Sequence, residues 1–406
     1  MQSRRSWLKD LAALTSASFL PEMWQHPTVA RPVTAPHAVG YLRTSASPGK
    51  GNTSTTVSVI YTTDLFHPPD FLDDQTDLAT LFALSELDVR AIVLEQGYRQ
   101  YTRSGATPVK QLLALTGRQI PYAVGLAHPL RYPEDKCLQE HPLLQKGVEL
   151  ILQTLRETPG EVYLIAVGSA RDTAAAFNRA EKLFRDKVTR VYLNIGNLPG
   201  GDLEWNAALD PQAYIRLMQS NLPIYWCPCL GSEGTYELMA AGKLKVQQRQ
   251  THWMFRHGEV CDSLPTRMQN YFLYAAGQKD PKTEDPIAYL EKVPDKELIQ
   301  RHRNDVRETF STASLIHAAG RQLHRRDGAW AALPVPQPGL EAWPVFDFVP
   351  STVTIDRDLT TPVDVSKADG KFMSFFLRDL ANYETAMKTS LRQLLSEMPM
   401  VRRKAF

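Results

Sequence analysis

Val57-Ser58-Val59-Ile60-Tyr61-Thr62-Thr63-Asp64 opens the folded part of the chain, and Leu65-Phe66-His67-Pro68-Pro69-Asp70-Phe71-Leu72-Asp73-Asp74-Gln75-Thr76-Asp77 follows it. The β-branched run Val57 to Tyr61 reads as a buried strand. Five aspartates then fall within fourteen residues at its carboxyl end. Like charges repel, so such crowding needs a cause. A hard divalent cation is one: calcium takes about six to eight oxygens and favours Asp. A helix N-terminus is the other, because Asp caps free N–H groups and meets the positive end of the dipole.

Working outward, strand and helix patterns alternate. Helical spacing covers Asp77–Leu87, with Leu78, Leu81, Phe82 and Leu84 on one face. Extended and helical stretches then follow in turn: Val89–Leu94, Val109–Leu115, Ile120–Val124, Leu143–Arg156, Glu161–Val167, Ala170–Phe184, Val188–Ile195, Asp210–Ser220 and Leu222–Cys227. This rhythm predicts an α/β fold, a mostly parallel, open doubly wound sheet flanked by helices. Ligands in such sheets bind beyond the carboxyl ends of the strands, where the aspartates lie. Beyond residue 230 the rhythm predicts a helical and β extension. Its helices fall near 266–277, 294–308 and 311–325, strands in Trp343–Ile355 are interrupted by Pro350, and a last helix covers Met373–Glu397. Leu377, Leu380, Tyr383, Met387, Leu391 and Leu394 form the apolar stripe of that helix.

The 406 residues carry 46 Lys plus Arg against 44 Asp plus Glu, too balanced for nucleic-acid binding by bulk charge. No run reaches the roughly 18 apolar residues of a membrane span. Four cysteines cannot staple a chain this long, and the Cys227, Cys229, Cys137 and Cys261 spacing does not suit zinc. His252 and His257, around Trp253 and Phe255, read as ordinary loop, and Arg321–Arg326 as a basic helix end. Ser3-Arg4-Arg5-Ser6-Trp7-Leu8-Lys9, with a weakly apolar run to Leu20, resembles a twin-arginine export signal. The organisation expected is a signal over 1–30, a Pro/Ser/Thr-rich linker over 31–55, one domain over 56–398 and a basic tail over 399–406. The destination is then periplasmic or secreted.

Thr63-Asp64 followed by Asp73-Asp74 is similar to the opening motif of the nucleoside hydrolases, Asp-x-Asp-Pro-Gly-x-Asp-Asp. Glu204-Trp205-Asn206 with Asp210-Pro211 resembles that family's Glu-Phe-Asn followed by Asp-Pro. Ile120-Pro121-Tyr122-Ala123-Val124-Gly125 with Pro129-Leu130, and Leu164-Ile165-Ala166-Val167-Gly168, match in the same order. The resemblance implies cleavage of the N-glycosidic bond of ribonucleosides, or of a related riboside, by a water bound to Ca2+. It implies Asp64 as base and metal ligand, Asp73 toward ribose and metal, Asp74 toward the metal, and the Val167 carbonyl as a further ligand. Glu204 and Asn206 would bind ribose hydroxyls; two residues apart on an extended segment, their side chains share a face. Asp210 and Pro211 read instead as helix N-cap and first turn. A homo-oligomer is also implied, since family members are often dimers or tetramers.

The chain departs from the family pattern in three places. Eight residues separate Asp64 from Asp73, a longer loop in which Asp70 is able to approach the metal. The second strand ends Leu94-Glu95-Gln96-Gly97 where the family has Gly-Asn, so Glu95 or Gln96 would serve the ribose. The family's late His-Asp pair before a helix has His317 as its nearest counterpart, without the Asp; Asp70 or Asp77 would then replace it. That gap keeps open a second function, an exported nucleoside- or sugar-binding protein without turnover. An aspartate-nucleophile phosphatase would need a second Asp where Phe66 stands.

The export reading is tested by changing Arg4 and Arg5 to Lys. Precursor is expected to accumulate in the cytoplasm; undiminished periplasmic recovery on cell fractionation contradicts it.

Overall fold

The computed structural model describes residues 56–199, 203–230, 247–326, 328–335, 345–355, 363–364 and 372–401. All lie in the second of the two units into which the chain divides, Thr55–Phe406. The signal, the linker and the basic residues at 402–404 fall outside the described residues. Among the described residues no helix is long and apolar enough to cross a membrane.

Thirteen strands are described: β1 Val57–Thr63, β2 Leu87–Leu94, β3 Tyr122–Val124, β4 Val162–Val167, β5 Val188–Leu193, β6 Ile224–Trp226, β7 Trp253–Arg256, β8 Val306–Thr309, β9 Arg321–Arg326, β10 Ala329–Pro334, β11 Phe346–Val353, β12 Val363–Asp364 and β13 Phe372–Leu377. Nine form one sheet in the order β12-β11-β13-β6-β5-β4-β1-β2-β3. From β13 to β3 every pairing is parallel, and only β11 and β12 run antiparallel to their neighbours. The expected mostly parallel sheet with helices on both faces is therefore present. Val59 and Tyr61 pack into the core on one face of β1, and Ile60 into the core on the other. Leu164 and Ile165 divide the same way in β4. Both faces of these strands are apolar because both are covered.

The boundaries shift where local chemistry overrides periodicity. The first helix runs Asp73–Ala83, four residues earlier than its apolar stripe suggests, because Asp73 and Asp74 suit a helix's first turn. The helix expected over 294–308 stops at His302, and β8 pairs antiparallel with β7. The one expected over 311–325 spans only Thr312–Ala318; Gly320, at φ 66°, turns the chain into β9. The basic run Arg321–Arg326 is thus a strand, and Arg321 pairs with Glu86 at 3.0 Å.

The largest correction concerns the last helix. Phe372–Leu377 is a strand, parallel to β6 and antiparallel to β11, and the helix begins only at Tyr383. Leu377 is buried in that strand and Leu380 lies exposed between the two elements. Tyr383, Met387, Leu391 and Leu394 do form the helix's buried stripe. The aromatic and β-compatible run Phe372-Met373-Ser374-Phe375-Phe376-Leu377 carries the strand signal that the helical spacing masks. Pro350 does not interrupt β11. On that strand's outer side β12 reaches only Thr352 and Val353, so among the described residues no partner strand faces the missing N–H.

Phe375 is fully buried at the centre of this insertion, whereas Leu380 is 47 % exposed. Phe375→Ala is expected to cost about 3–5 kcal/mol of unfolding free energy. Leu380→Ala is expected to stay within about 0.5 kcal/mol. Equal losses in urea titrations would restore the continuous helix.

Candidate active site

Register builds the floor of the site. Thr63 pairs with Leu94 on one side and Val167 on the other. The residues that follow, Asp64, Glu95 and Gly168, therefore emerge side by side at the carboxyl ends of β1, β2 and β4. A Cβ at position 168 would lie 2.6 Å from Glu95 Oε2 and 2.8 Å from the Asp64 nitrogen, so only glycine fits. Val167, which ends β4, belongs to the same row. Glu95 is fully buried; its Oε2 accepts from the Ser169 hydroxyl at 2.7 Å, and burial raises its pKa.

Asp64 is nearly buried. Its Oδ2 accepts from Gln96 Nε2 at 3.1 Å and from Trp205 Nε1 at 3.3 Å. Asp74 reaches the same strand end, where the Thr63 hydroxyl donates to its Oδ1 at 3.2 Å. Asp73 and Asp74 are not capping residues: Leu72 holds the N-cap position without a side-chain bond. Burial pushes the Asp74 carboxyl well above the usual range, and the charges of Asp64, Asp73 and Asp77 push it further. Asp77 is buried and raised to about 7, by burial first and Asp73 second. Its Oδ1 accepts from the Thr312 hydroxyl at 3.0 Å.

Asp64, Asp73, Asp74 and Asp77 thus form one electrostatic group, joined by Glu95 and Gln96 at the neighbouring strand end. Asp70 is outside it, exposed and paired with Arg103 at 3.0 Å. The long loop turns that carboxylate outward to a guanidinium, so Asp70 does not approach the cluster. His317 is also elsewhere. It lies within the helix Thr312–Ala318, not before it, and its Nδ1 meets the Tyr192 hydroxyl at 2.8 Å. Its ring packs against Phe348 at 4.4 Å, and burial lowers its pKa to about 4. It sits in an aromatic cluster with Tyr192, Tyr225 and Phe348. The helix start that does face the aspartates is Ser311-Thr312, which no motif signalled.

Glu204 and Asn206 do not lie on an extended segment. Glu204 is the N-cap of the helix Trp205–Leu209, with Oε1 accepting from Asn206 N at 2.9 Å and Oε2 from Ala207 N at 3.1 Å. Oε2 also accepts from Gly196 N at 2.8 Å. Both side chains nevertheless reach the turn after β5, Glu204 at Gly196 N and Asn206 at the Asn194 carbonyl, to which its Nδ2 donates at 3.2 Å. Asp210 and Pro211 sit where the sequence puts them, at N-cap and first turn, with Ala213 N bonded to Asp210 Oδ1 at 3.0 Å.

The donor set around Asp64 and Asp74 is oxygen-rich and negative, the chemistry a hard divalent cation takes. Among the described residues no three His, Cys, Asp or Glu side chains converge into a metal cage. The four cysteines are buried and free. His252 and Trp253 are core residues, Trp253 within β7.

Because the folded pKa of Asp77 lies above the unfolded value of about 3.9, the folded state holds a proton between these values. Stability then falls as pH rises from about 4 to 7, by at most about 4 kcal/mol. Asp77→Asn keeps the acceptor for Thr312 and removes the charge. In chelator-treated protein it is expected to exceed wild type in stability at pH 8 and to converge with it near pH 4. A pH-independent difference in urea titrations contradicts this.

Comparison with known proteins agrees with the ordered motifs. The family model described as inosine-uridine preferring nucleoside hydrolase matches residues 59–369. The pyrimidine-specific ribonucleoside hydrolase RihA of Citrobacter koseri is 28% identical over 172 residues, 37% of this chain and 55% of that protein. Its namesake from Salmonella arizonae is 27% identical over 172 residues, with the same 37% and 55% coverage. The chain thus spans about half the length of the curated relatives it matches. The solved purine-preferring ribonucleoside hydrolase from Gardnerella vaginalis superposes with a TM-score of 0.50 at 12% identity, over 84% of this chain and 99% of that one, a likeness of fold. With the family match covering most of its length, the chain belongs to the inosine-uridine preferring nucleoside hydrolase family.

Proposed function

We infer that this protein hydrolyses the N-glycosidic bond of ribonucleosides or a related riboside, in the periplasm or outside the cell, with Asp64 as the general base. The observation that carries this reading is the Asp64 carboxylate, fixed by two N–H donors at the end of β1 and grouped with Asp73, Asp74 and Asp77. Cleavage passes through an oxocarbenium-like state, in which positive charge develops on the sugar. A cluster of carboxylates lowers the energy of that charge, and one of them must take a proton from the attacking water. Asp64 is suited to the proton because its orientation is set from two sides. Asn206, half-buried above the end of β5, would meet a sugar hydroxyl.

The resemblance to the family supports calcium as the cation. Asp64, Asp73, Asp74 and the Val167 carbonyl would hold it, and when bound it would lower the pKa of the water and orient the ribose. The export motif and the twin-arginine order support loading before secretion.

Three variants separate these roles. Asp64→Asn is expected to lower kcat for ribose release by about two to four powers of ten. Asn206→Ala is expected to raise KM, with kcat falling only as far as that contact tightens in the transition state. Asp210→Ala is expected to lose more than the roughly 0.5–2 kcal/mol of a cap, because its Oδ2 also accepts from Leu130 N at 2.9 Å and faces the buried Arg171 at 3.6 Å. Calcium is expected to raise the Tm of chelator-treated wild type and not of Asp74→Asn. If wild type with calcium releases no ribose from a nucleoside panel, the enzyme reading fails and the binding protein takes its place.

A further inference from the structure

Two donors on one carboxylate oxygen come from opposite sides of the site. Gln96 follows β2, with its backbone in the left-handed region at φ 60° and ψ 58°. A non-glycine residue there is uncommon and has to be held. It is held on both flanks: Glu95 N donates to the Thr63 carbonyl at 2.8 Å, and Gly97 N to the Leu126 carbonyl at 3.0 Å. A Cβ on Gly97 would come within 2.6 Å of the Gly125 carbonyl oxygen, so the chain cannot swing there. The amide is oriented as well. Arg99 Nη1 donates to Gln96 Oε1 at 3.4 Å, which turns the NH2 toward Asp64.

Trp205 arrives from the other side. It is the first residue of its helix, directly after Glu204, whose carboxylate binds the backbone N–H groups of Gly196, Asn206 and Ala207. Those three bonds tie the helix start to the turn after β5, and the indole is carried with it. A phenylalanine, the residue the family motif has at this place, has no N–H to offer. The second donor on Asp64 therefore belongs to this chain's own sequence.

We propose that Gln96 and Trp205 are positioning residues that fix the Asp64 carboxylate through Oδ2, and that Glu204 acts through Trp205 by locking its helix. Two donors on Oδ2 restrict the rotamers of the carboxylate and so fix the angle at which it meets the water. Loss of a donor misorients the base without removing it. The proposal rests on the hydrolase reading, and its test includes a measurement that needs no turnover.

Trp205→Phe is expected to lower kcat about tenfold, the worth of one hydrogen bond to a charged group, with KM held within about twofold. Gln96→Asn, which tolerates the left-handed backbone but is too short to reach Asp64, is expected to do the same. In a double-mutant cycle, Glu204→Gln is expected to add little to Trp205→Phe, because both act on one contact. Independently, in 15N-indole-labelled protein the Trp205 Nε1–H resonance, identified by its loss in Trp205→Phe, is expected to move upfield in Asp64→Ala. An unmoved resonance overturns the cradle whether or not the protein is active. A Trp205→Phe loss carried by KM, or Glu204 and Trp205 effects that multiply, overturns the positioning role in an active enzyme. Absence of ribose release by wild type fails the hydrolase reading alone and leaves the indole result to decide the cradle.

Discussion

The pairing of Thr63 with both Leu94 and Val167 is the constraint on which the site rests. A parallel strand exposes only its end to ligand, and one residue of slip would turn every side chain to the wrong face. With this register, Asp64, Glu95 and the turn at Gly168 share one line. The tight space around Gly168 leaves no room for a different alignment. Everything else in the site is attached to that line: the first helix brings Asp73, Asp74 and Asp77, and the helix after β5 brings Trp205.

Such a line has an electrostatic cost. Asp74 is surrounded by Asp64, Asp73 and Asp77, and burial compounds the repulsion. The protein compensates in part with neutral donors: Thr63 serves Asp74, Thr312 serves Asp77, and Gln96 and Trp205 serve Asp64. Neutral donors orient a carboxylate without cancelling its charge. The cluster thus remains attractive to a cation or to a sugar bearing positive charge, which a lysine or arginine in the same place would defeat.

Much of this was legible in the sequence, for physical reasons. Parallel strands covered on both faces read as apolar runs, so β1, β2, β4 and β5 stand out. The aspartate group is dense in sequence because one loop and one helix start supply it. Asp210-Pro211 is a local capping signal and needs no tertiary context. What stayed hidden depends on context. Whether Glu204 begins a helix or continues an extended segment is decided by the Gly196 N–H it accepts, a partner from another turn. His317 carries the chemistry of a catalyst, and its neighbours Tyr192 and Phe348 come from distant strands that the sequence does not place beside it. Phe372–Leu377 has apolar residues compatible with two periods, and only a vacant place between β6 and β11 selects the strand.

That late strand has a bearing on how the chain is made. Between Trp226, which ends β6, and Phe372, which begins β13, the growing polypeptide leaves one side of β6 without its neighbour. An open strand edge is a template for pairing with other chains. Closing it requires contacts distant in sequence, which form slowly. Synthesis therefore passes Leu377 before the sheet is sealed, and the helix Tyr383–Glu397 follows it. A chain cut between Ala318 and Phe372 would still carry the aspartates with Trp205 and Thr312 and yet present a bare edge, making such truncated products candidates for aggregation and proteolysis.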